Sequence, residues 1–360
     1  MRVTPIEGSP ELLERFFACE AELYAHDPIW ARLPRRDLRP LLAPDAPFVR
    51  RGGRQRSFLA LEGDVARGRV TAIVGPRLLT DDGRPQGLVG LWECADDPAA
   101  ARALLDAAFE WLRAQGAVQA VGPLDFSTWY RYRFVSEGRE KGPFLLDLHH
   151  HAWYPDQFRA AGFAPAREYA TLVAPHTPVK LLARAHERCV AAGVRFEPLE
   201  AAGAAERLPL LFDLSRRIFA GKTAYSEIDP AEFQALYAGS DALLVPGLSW
   251  LARDGSGQAV GFLFAYPDLL EPLRKGDPAA KVETTVLKTI AADPDAAPGL
   301  GWALCHLHVE AARALGFTRG LYALMEKFEE LGRFMGHKGR MLEGETGGVW
   351  KRYTLYQRAL

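Results

Sequence analysis

The sequence is poor in cysteine, and its cysteines stand far apart along the chain. Among 360 residues there are four, namely Cys19, Cys94, Cys189 and Cys305. None belongs to a Cys-x-x-Cys pair, which argues against a structural zinc site and against a disulfide framework. We therefore expect neither a metal centre nor disulfide bonds.

Long apolar runs and an excess of charge of either sign are also absent. No apolar stretch reaches the length that spans a bilayer, and the N-terminus lacks the apolar core of a secretory signal. These two absences predict a cytoplasmic location. The formal net charge is −1, so no nucleic-acid or membrane partner is expected. Residues 32–56 are locally rich in arginine. This stretch is either a solvated loop or a dock for phosphates or an acidic carrier protein.

Hydrophobic periodicity predicts the same order of elements in both halves of the chain: hairpin, strand, helix, strand, helix, strand. In the first half the predicted helices are 10–24, 99–115 and 154–161, and the strands are 57–62, 65–74, 87–93, 117–122 and 169–173. In the second half the helices are 179–192, 204–219, 230–237, 302–315 and 327–335, and the strands are 194–200, 249–253, 259–266, 282–292, 320–324 and 353–357. Pro175 and Pro178 mark the boundary. The sequence thus predicts an α+β unit used twice, in an N-terminal half (1–176) and a C-terminal half (177–360).

A strand, a glycine turn and a helix in the C-terminal half carry a recognisable pattern. The run KVETTVLKTIAADP leads into PGLGWALCHLHVEAARALGF, and it resembles the acetyl-CoA-binding segment of GCN5-related N-acetyltransferases (GNAT). Glycines at a helix N-terminus let backbone N–H groups approach a diphosphate. The resemblance implies acetyl-CoA or a longer acyl-CoA as co-substrate. It implies donor contacts from Ile290, Ala291, Ala292, Gly299, Leu300, Gly301 and Trp302. Lys288, a lysine among apolar strand neighbours, is a further candidate for contact with the donor's phosphate or a substrate carboxylate, and packing with an exposed ammonium group is the alternative role.

The corresponding turn of the N-terminal half reads CADDPAAARALL. It has no glycine, and its two aspartates would repel a diphosphate, so we expect a degenerate donor site there. Further stretches resemble a group of bacterial tandem GNAT-like proteins, among them GPLDFSTWYRYRF, VGFLFAYPDL and WKRYTLYQRAL. The fold implied is two tandem GNAT-like domains, each a mixed, mostly antiparallel sheet flanked by helices.

Two residues are candidates for proton transfer. Glu283 stands at the start of the predicted strand 282–292, where some GNAT enzymes carry a general base; the alternative is a solvated carboxylate at a strand end. The family's usual leaving-group tyrosine is missing from the predicted helix 327–335. Tyr353 is the nearby substitute, and packing in the core is the alternative role.

Acceptor contacts are predicted in the N-terminal half. The loop after Gly122 mixes hydroxyls, aromatic rings and a guanidinium, which suits recognition of a polar ligand. The alternative is a loop that docks the two halves. His151, from the run 149–151, is a further candidate. The predicted substrate-binding residues are Ser127, Trp129, Tyr130, Arg131 and His151.

The function implied is transfer of an acyl group from acyl-CoA, or from an acyl carrier protein, to an amine of a small molecule or peptide. Two alternatives stay open. One is a non-catalytic ligand-binding or scaffold protein with degenerate GNAT domains. The other is an aminoacyl-tRNA-dependent transferase, which the near-neutral charge disfavours.

Overall fold

The structure is a computed structural model that describes residues 1–33, 37–200, 203–220, 225–326 and 348–360. Within these residues the elements of the N-terminal half are β1 (Arg2–Pro5), α1 (Pro10–Leu23), α2 (Pro47–Arg50), β2 (Arg54–Glu62), β3 (Val65–Leu79), β4 (Pro85–Cys94), α3 (Pro98–Ala114), β5 (Gln119–Gly122), β6 (Phe134–Glu137), α4 (Tyr154–Ala160) and β7 (Ala164–Pro175). Those of the C-terminal half are α5 (Lys180–Ala191), β8 (Arg195–Pro198), α6 (Ala204–Phe219), α7 (Pro230–Tyr237), β9 (Trp250–Arg253), β10 (Ala259–Pro267), α8 (Glu271–Arg274), β11 (Thr284–Ala292), α9 (Leu300–Ala314), β12 (Arg319–Glu326) and β13 (Gly348–Ala359).

The described strands form one continuous sheet in the order β1-β2-β3-β4-β5-β13-β7-β12-β11-β10-β9-β8, with β6 pairing with β13. Most neighbours are antiparallel, but β4 with β5 and β11 with β12 are parallel. Each half therefore contributes a run of antiparallel strands that ends in one parallel pair. The α+β fold class predicted from the sequence is confirmed.

The last strands of the two halves are exchanged at the centre of the sheet. β13 lies beside β5 of the N-terminal half, with Tyr356 opposite Gly122. β7 lies beside β12 of the C-terminal half, with Val173 opposite Leu321. The division into 1–176 and 177–360 stays a prediction, and the exchange means that each half completes the sheet of the other.

Helix α3 shows why the predicted helices form where they do. Its N-cap Asp97 accepts hydrogen bonds from Ala99 and Ala100, Pro98 takes the first position, and Gly116 follows the helix with a φ of 84°. Its buried stripe packs on the sheet of the N-terminal half, opposite α1, and consists of Ala100, Ala101, Leu104, Leu105, Ala108, Phe109 and Leu112.

The C-terminal half has the same layers. Apolar side chains of α5 and α9 cover one face of its sheet, and those of α6 cover the opposite face together with α7. The predicted helices 204–219 and 230–237 coincide with α6 and α7, and the predicted helices 179–192 and 302–315 correspond to α5 and α9, whose ends differ by one or two residues. The predicted helix 327–335 lies outside the described residues.

Candidate functional site

The sheet opens between β11 and β12. Their parallel pairing runs from Thr284 opposite Arg319 to Leu287 opposite Tyr322. β11 then continues to Ala292, while β12 runs on beside β7. The register between β10 and β11 shifts at this point, leaving Lys288 as an extra residue in β11. Such a bulge bends a strand and increases its twist. We call this gap, together with the N-terminus of α9, the β11–β12 opening.

Helix α9 begins beside the opening without a side-chain cap. Its N-cap Gly299 has a φ of 90°, a conformation that side chains rarely adopt. A Cβ on Gly301 would lie 3.7 Å from Cγ2 of Ile290, so the turn abuts β11. Nη2 of Arg188 lies 3.5 Å from the position of a Cβ on Gly299. Backbone N–H groups of a first helical turn and a guanidinium thus converge where an anion could bind.

The two faces of β11 differ in what they contact. Leu287, Ile290 and Ala292 face α5 and α9. Thr289 and Ala291 face the α6 side. Nζ of Lys288 donates to the carbonyl oxygen of Leu146 at 3.0 Å. A ligand lying in the opening would therefore pass from the α9 side of the sheet to the α6 side.

The α6 side carries an apolar cavity that starts at β11. The space between its walls, counted out to its open mouth, is about 600 Å³. We call it the apolar cavity. It is lined by Leu199, Glu200, Arg207, Leu208, Leu211, Ser215, Phe233, Tyr237, Ser240, Leu244, Phe262, Phe264 and Thr289.

The predicted donor residues meet at this opening, in different ways. Ile290, Ala291 and Ala292 form its β11 edge, and the turn from Gly299 to Trp302 forms its end. Leu300 is buried in the core, and its N–H donates to the carbonyl oxygen of Ala297 at 3.1 Å. Arg188 and the apolar cavity were missed. Arg188 belongs to a distant helix, and the cavity is built from four separate segments of the chain, so neither has a local signal in the sequence.

At the equivalent gap of the N-terminal half, between β4 and β5, side chains bond the backbone at the end of β4, and a cavity lies beside them at the start of α3. Nε1 of Trp153 donates to the carbonyl oxygen of Cys94 at 2.9 Å, and Nε2 of Gln157 donates to that of Ala95 at 2.7 Å. The hydroxyl of Tyr154 accepts from the N–H of Cys94 at 3.2 Å. Side chains of α4 and the residue before it therefore occupy the backbone groups that a donor arm would need. At the start of α3, Asp97 already caps the first turn.

A buried charged cluster lies beneath this gap. Tyr154 donates to Glu93 at 2.7 Å, Arg131 contacts Glu93 at 3.2 Å, and Arg69 contacts Glu20 at 2.6 Å. Burial, with the nearby Glu20 carboxylate, raises the pKa of Glu93 to about 7. The predicted substrate residue Arg131 is thus committed to a network of ion pairs inside the N-terminal half.

The loop after Gly122 docks the two halves. Ser127 is buried, and its Oγ accepts from the N–H of Trp129. Nε1 of Trp129 donates to the carbonyl oxygen of Ser226 at 3.1 Å, and the hydroxyl of Tyr130 contacts Glu232 at 3.4 Å. These contacts fit the alternative role considered for the loop. They place no member of it in the apolar cavity.

Part of the arginine-rich stretch also joins the halves. Arg51 pairs with Glu232 at 2.8 Å, and Arg50 lies 3.7 Å from Asp229. Arg77, further along the chain, pairs with Glu227. These arginines neutralise acidic groups at the start of α7, so they are not a free dock for an acidic carrier.

The three adjacent histidines have separate surroundings. His149 lies 2.7 Å from Asp27. His150 is buried and accepts from the N–H of Val135, and burial holds its pKa well below the usual value. His151 stacks between Tyr24 and Trp153, with ring centroids 4.1 and 4.2 Å away. His151 thus belongs to the N-terminal half and not to the apolar cavity. Within the described residues no cluster of metal-binding side chains occurs.

The two predicted proton-transfer residues differ in their surroundings. Glu283 precedes β11 and pairs with Lys275 at 3.1 Å. It is about 16 Å along the strand from the bulge at Lys288. Tyr353 is completely buried, and its hydroxyl is held by Asp147 at 2.9 Å and Thr171 at 3.2 Å. Distance disfavours Glu283 as the base, and burial disfavours Tyr353 as the acid.

Comparison with known proteins identifies the fold. No family model matches the chain. A probable N-acyltransferase of Enterococcus faecalis superposes with a TM-score of 0.56 at 10% identity, covering 99% of this chain and 72% of the other. A tandem GNAT protein from the clavulanic acid biosynthesis pathway gives 0.51 at 11% identity, covering 99% and 98%. The chain therefore has the tandem GNAT fold, which confirms the resemblance predicted from its sequence.

A relative by sequence is a bacterial ceramide synthase of Caulobacter vibrioides. It is 26% identical over 279 residues, which cover 76% of this chain and 71% of that protein.

In the described part of the chain, no helix is both long enough and apolar enough to cross a bilayer.

Proposed function

We propose that the protein is an N-acyltransferase that uses an acyl-CoA thioester bound at the β11–β12 opening. The observation that carries the proposal is the contrast between the two halves. The opening of the C-terminal half ends at an uncapped helix start beside Arg188, whereas in the N-terminal half Trp153 and Gln157 already donate hydrogen bonds to the carbonyl oxygens of Cys94 and Ala95. One half thus offers a donor site, and the other supports it.

In this proposal the diphosphate binds at the start of α9, where N–H groups and the helix dipole favour an anion. The pantetheine arm follows β11 from Ala292 back toward Lys288, so the thioester arrives at the bulge. The amine nitrogen attacks the carbonyl carbon, the C–S bond breaks, and an amide forms. The thiolate takes up the proton that the amine loses. The enzyme's contribution is mainly to hold the two reactants in place.

The acceptor we propose is an amine attached to a long alkyl chain. The Caulobacter relative is named a ceramide synthase, and a ceramide is the amide of a fatty acid with a long-chain amino alcohol. The apolar lining of the cavity beside the opening supports a reaction between substrates that carry alkyl chains. We propose a cytoplasmic location, which the four free, buried cysteines support because reducing compartments keep thiols unpaired.

Calorimetric titration with CoA and acyl-CoAs tests donor binding. Wild type should bind CoA saturably. Gly301→Asp should lose that binding, because a carboxylate at the second position of α9 repels a diphosphate. Ala99→Asp is the matched control at the second position of α3, and it should bind as wild type does. Equal CoA binding by Gly301→Asp and wild type would refute the site.

Mass spectrometry of reaction mixtures tests the chemistry and the acceptor. Long-chain amino alcohols should yield amides with an acyl-CoA, while short amines should react poorly. Donor binding without amide formation from any amine would favour the scaffold alternative. Transfer that requires a charged tRNA would favour the other alternative.

A further inference from the structure

The apolar cavity runs across the sheet from the candidate donor strand toward the sheet edge. It begins at Thr289 of β11 and passes Phe264 and Phe262 of β10. It ends at Leu199 and Glu200, just after β8, which is the last strand of this sheet edge. The cavity is therefore elongated, and its two ends lie in different surroundings.

Most of the cavity wall is uncharged. Leu208, Leu211 and Leu244 contribute alkyl groups, and the hydroxyl of Ser240 is already used in a hydrogen bond to the carbonyl oxygen of Tyr237. The charged lining residues, Glu200 and Arg207, stand at the β8 end. A charged head group inside would lack a counterion, whereas an alkyl chain loses only contact with water.

We propose that the apolar cavity binds the alkyl tail of the acyl donor and sets the preferred tail length. This inference rests on the proposed function, because the thioester must lie at the bulge next to Thr289. From that point the tail enters the cavity directly, on the face of the sheet opposite α9. The position at the donor strand favours the tail of the donor over that of the amine.

The geometry also gives a length. Thr289 of β11 and Leu199, just after β8, stand three strand spacings of about 4.8 Å apart, so a tail that runs from one to the other spans about 14 Å, the length of an extended chain of roughly ten to twelve carbons. Shorter tails leave part of the cavity empty. Longer tails emerge between Glu200 and Arg207 into solvent. Affinity should therefore rise with tail length, by at most about fourfold per methylene, and level off near this length.

The N-terminal half supports the cavity roof. Phe233 of α7 lines the cavity. The indole of Trp129 packs edge to face against the phenyl ring of Phe233, with ring centroids 5.7 Å apart. Arg51 anchors the same helix through Glu232. The half without the proposed donor site thus holds the helix that closes the cavity over the tail.

The test compares Leu211→Trp, which fills the cavity, with Asp213→Trp, which places the same indole on the exposed side of α6. The probes are CoA, acetyl-CoA, octanoyl-CoA, dodecanoyl-CoA, hexadecanoyl-CoA and free dodecanoate, titrated by calorimetry. Wild type and Asp213→Trp should bind tighter as the tail grows to about twelve carbons, then change little. Leu211→Trp should keep its CoA affinity, lose the gain from the tail and lose dodecanoate binding.

The outcomes separate the two proposals. If CoA fails to bind but dodecanoate binds and is lost in Leu211→Trp, the alkyl site stands and the donor site falls. If CoA binds but neither the tail length nor Leu211→Trp changes the affinity for acyl-CoAs, the tail site is overturned. Octylamine and dodecylamine are titrated in the same way. Tighter binding with chain length for these alkylamines but not for the acyl-CoAs would also overturn the tail site, since the amine would then be the occupant.

Discussion

Gly301 offers a substitution in which stability and donor binding should change in opposite directions. It is the second residue of α9, and a Cβ there would meet only Cγ2 of Ile290 at an ordinary 3.7 Å. Alanine should therefore fit without strain. Because alanine loses less conformational freedom than glycine in a helix, Gly301→Ala should raise the free energy of unfolding by about 0.5–1 kcal/mol.

The same methyl group occupies the space through which a diphosphate approaches the backbone. One hydrogen bond to a charged group contributes about 1.5–3 kcal/mol, so losing the contact at Gly301 should weaken CoA binding tenfold or more. Gly301→Asp should weaken it further by repulsion, yet keep the fold, since an acidic residue in a first helical turn is favourable by about 0.3–1 kcal/mol.

Denaturant titration measures the first effect and calorimetry with CoA measures the second. Gly299→Ala is a useful contrast, because its φ of 90° strains any side chain and should cost about 1–2 kcal/mol. A Gly301→Ala protein that is more stable and binds CoA unchanged would show that the diphosphate does not lie at α9. A Gly301→Ala protein that is strongly destabilised would show that a methyl group at this position does not fit without strain.

Three further predictions concern pH and the exchanged strands. Glu93 has a pKa of about 7 against an ordinary 4.5, so its carboxyl group binds a proton more tightly in the folded state, and the stability this contributes is lost as pH rises from 4.5 to 7. In denaturant titrations across that window, the free energy of unfolding of Glu93→Gln should rise relative to wild type by up to about 1.4 kcal/mol per pH unit. Parallel pH profiles of the two proteins would contradict the assignment. Burial lowers the pKa of His308 to about 4, so the free energy of unfolding falls as pH falls from 6.5 toward 4. His308→Gln should reduce this pH dependence, and an unchanged dependence would argue against the role of His308. Because β7 and β13 are exchanged, fragments 1–176 and 177–360 should each be unfolded by circular dichroism and fold only when mixed; independent folding of either would refute this.

Features with a local cause were predictable from the sequence. The glycine turn before α9, the proline and aspartate that start α3, and the apolar periodicity of both helices each act within a few residues. They predict α3, α9 and the fold class, which the structure confirms, and they predict the donor turn. The chemistry at the donor turn stays a prediction, because a helix start is an anion site only when a ligand uses it.

Features built from distant segments were not predictable in the same way. The exchange of β7 and β13 depends on which edge each strand meets, and the sequence of a strand does not encode its neighbour. The hydrogen bonds of Trp153 and Gln157 to the backbone at the end of β4 depend on how α4 packs. Glu283 fits a strand pattern, yet the rise of β11 carries it away from the bulge.

The most direct test of the account is an experimental structure of the complex with dodecanoyl-CoA. The account predicts the diphosphate at the N–H groups that follow Gly299, the pantetheine arm along Ile290 to Ala292, and the alkyl tail past Thr289 into the apolar cavity. A donor bound instead between β4 and β5, or a tail that leaves the apolar cavity empty, would contradict it.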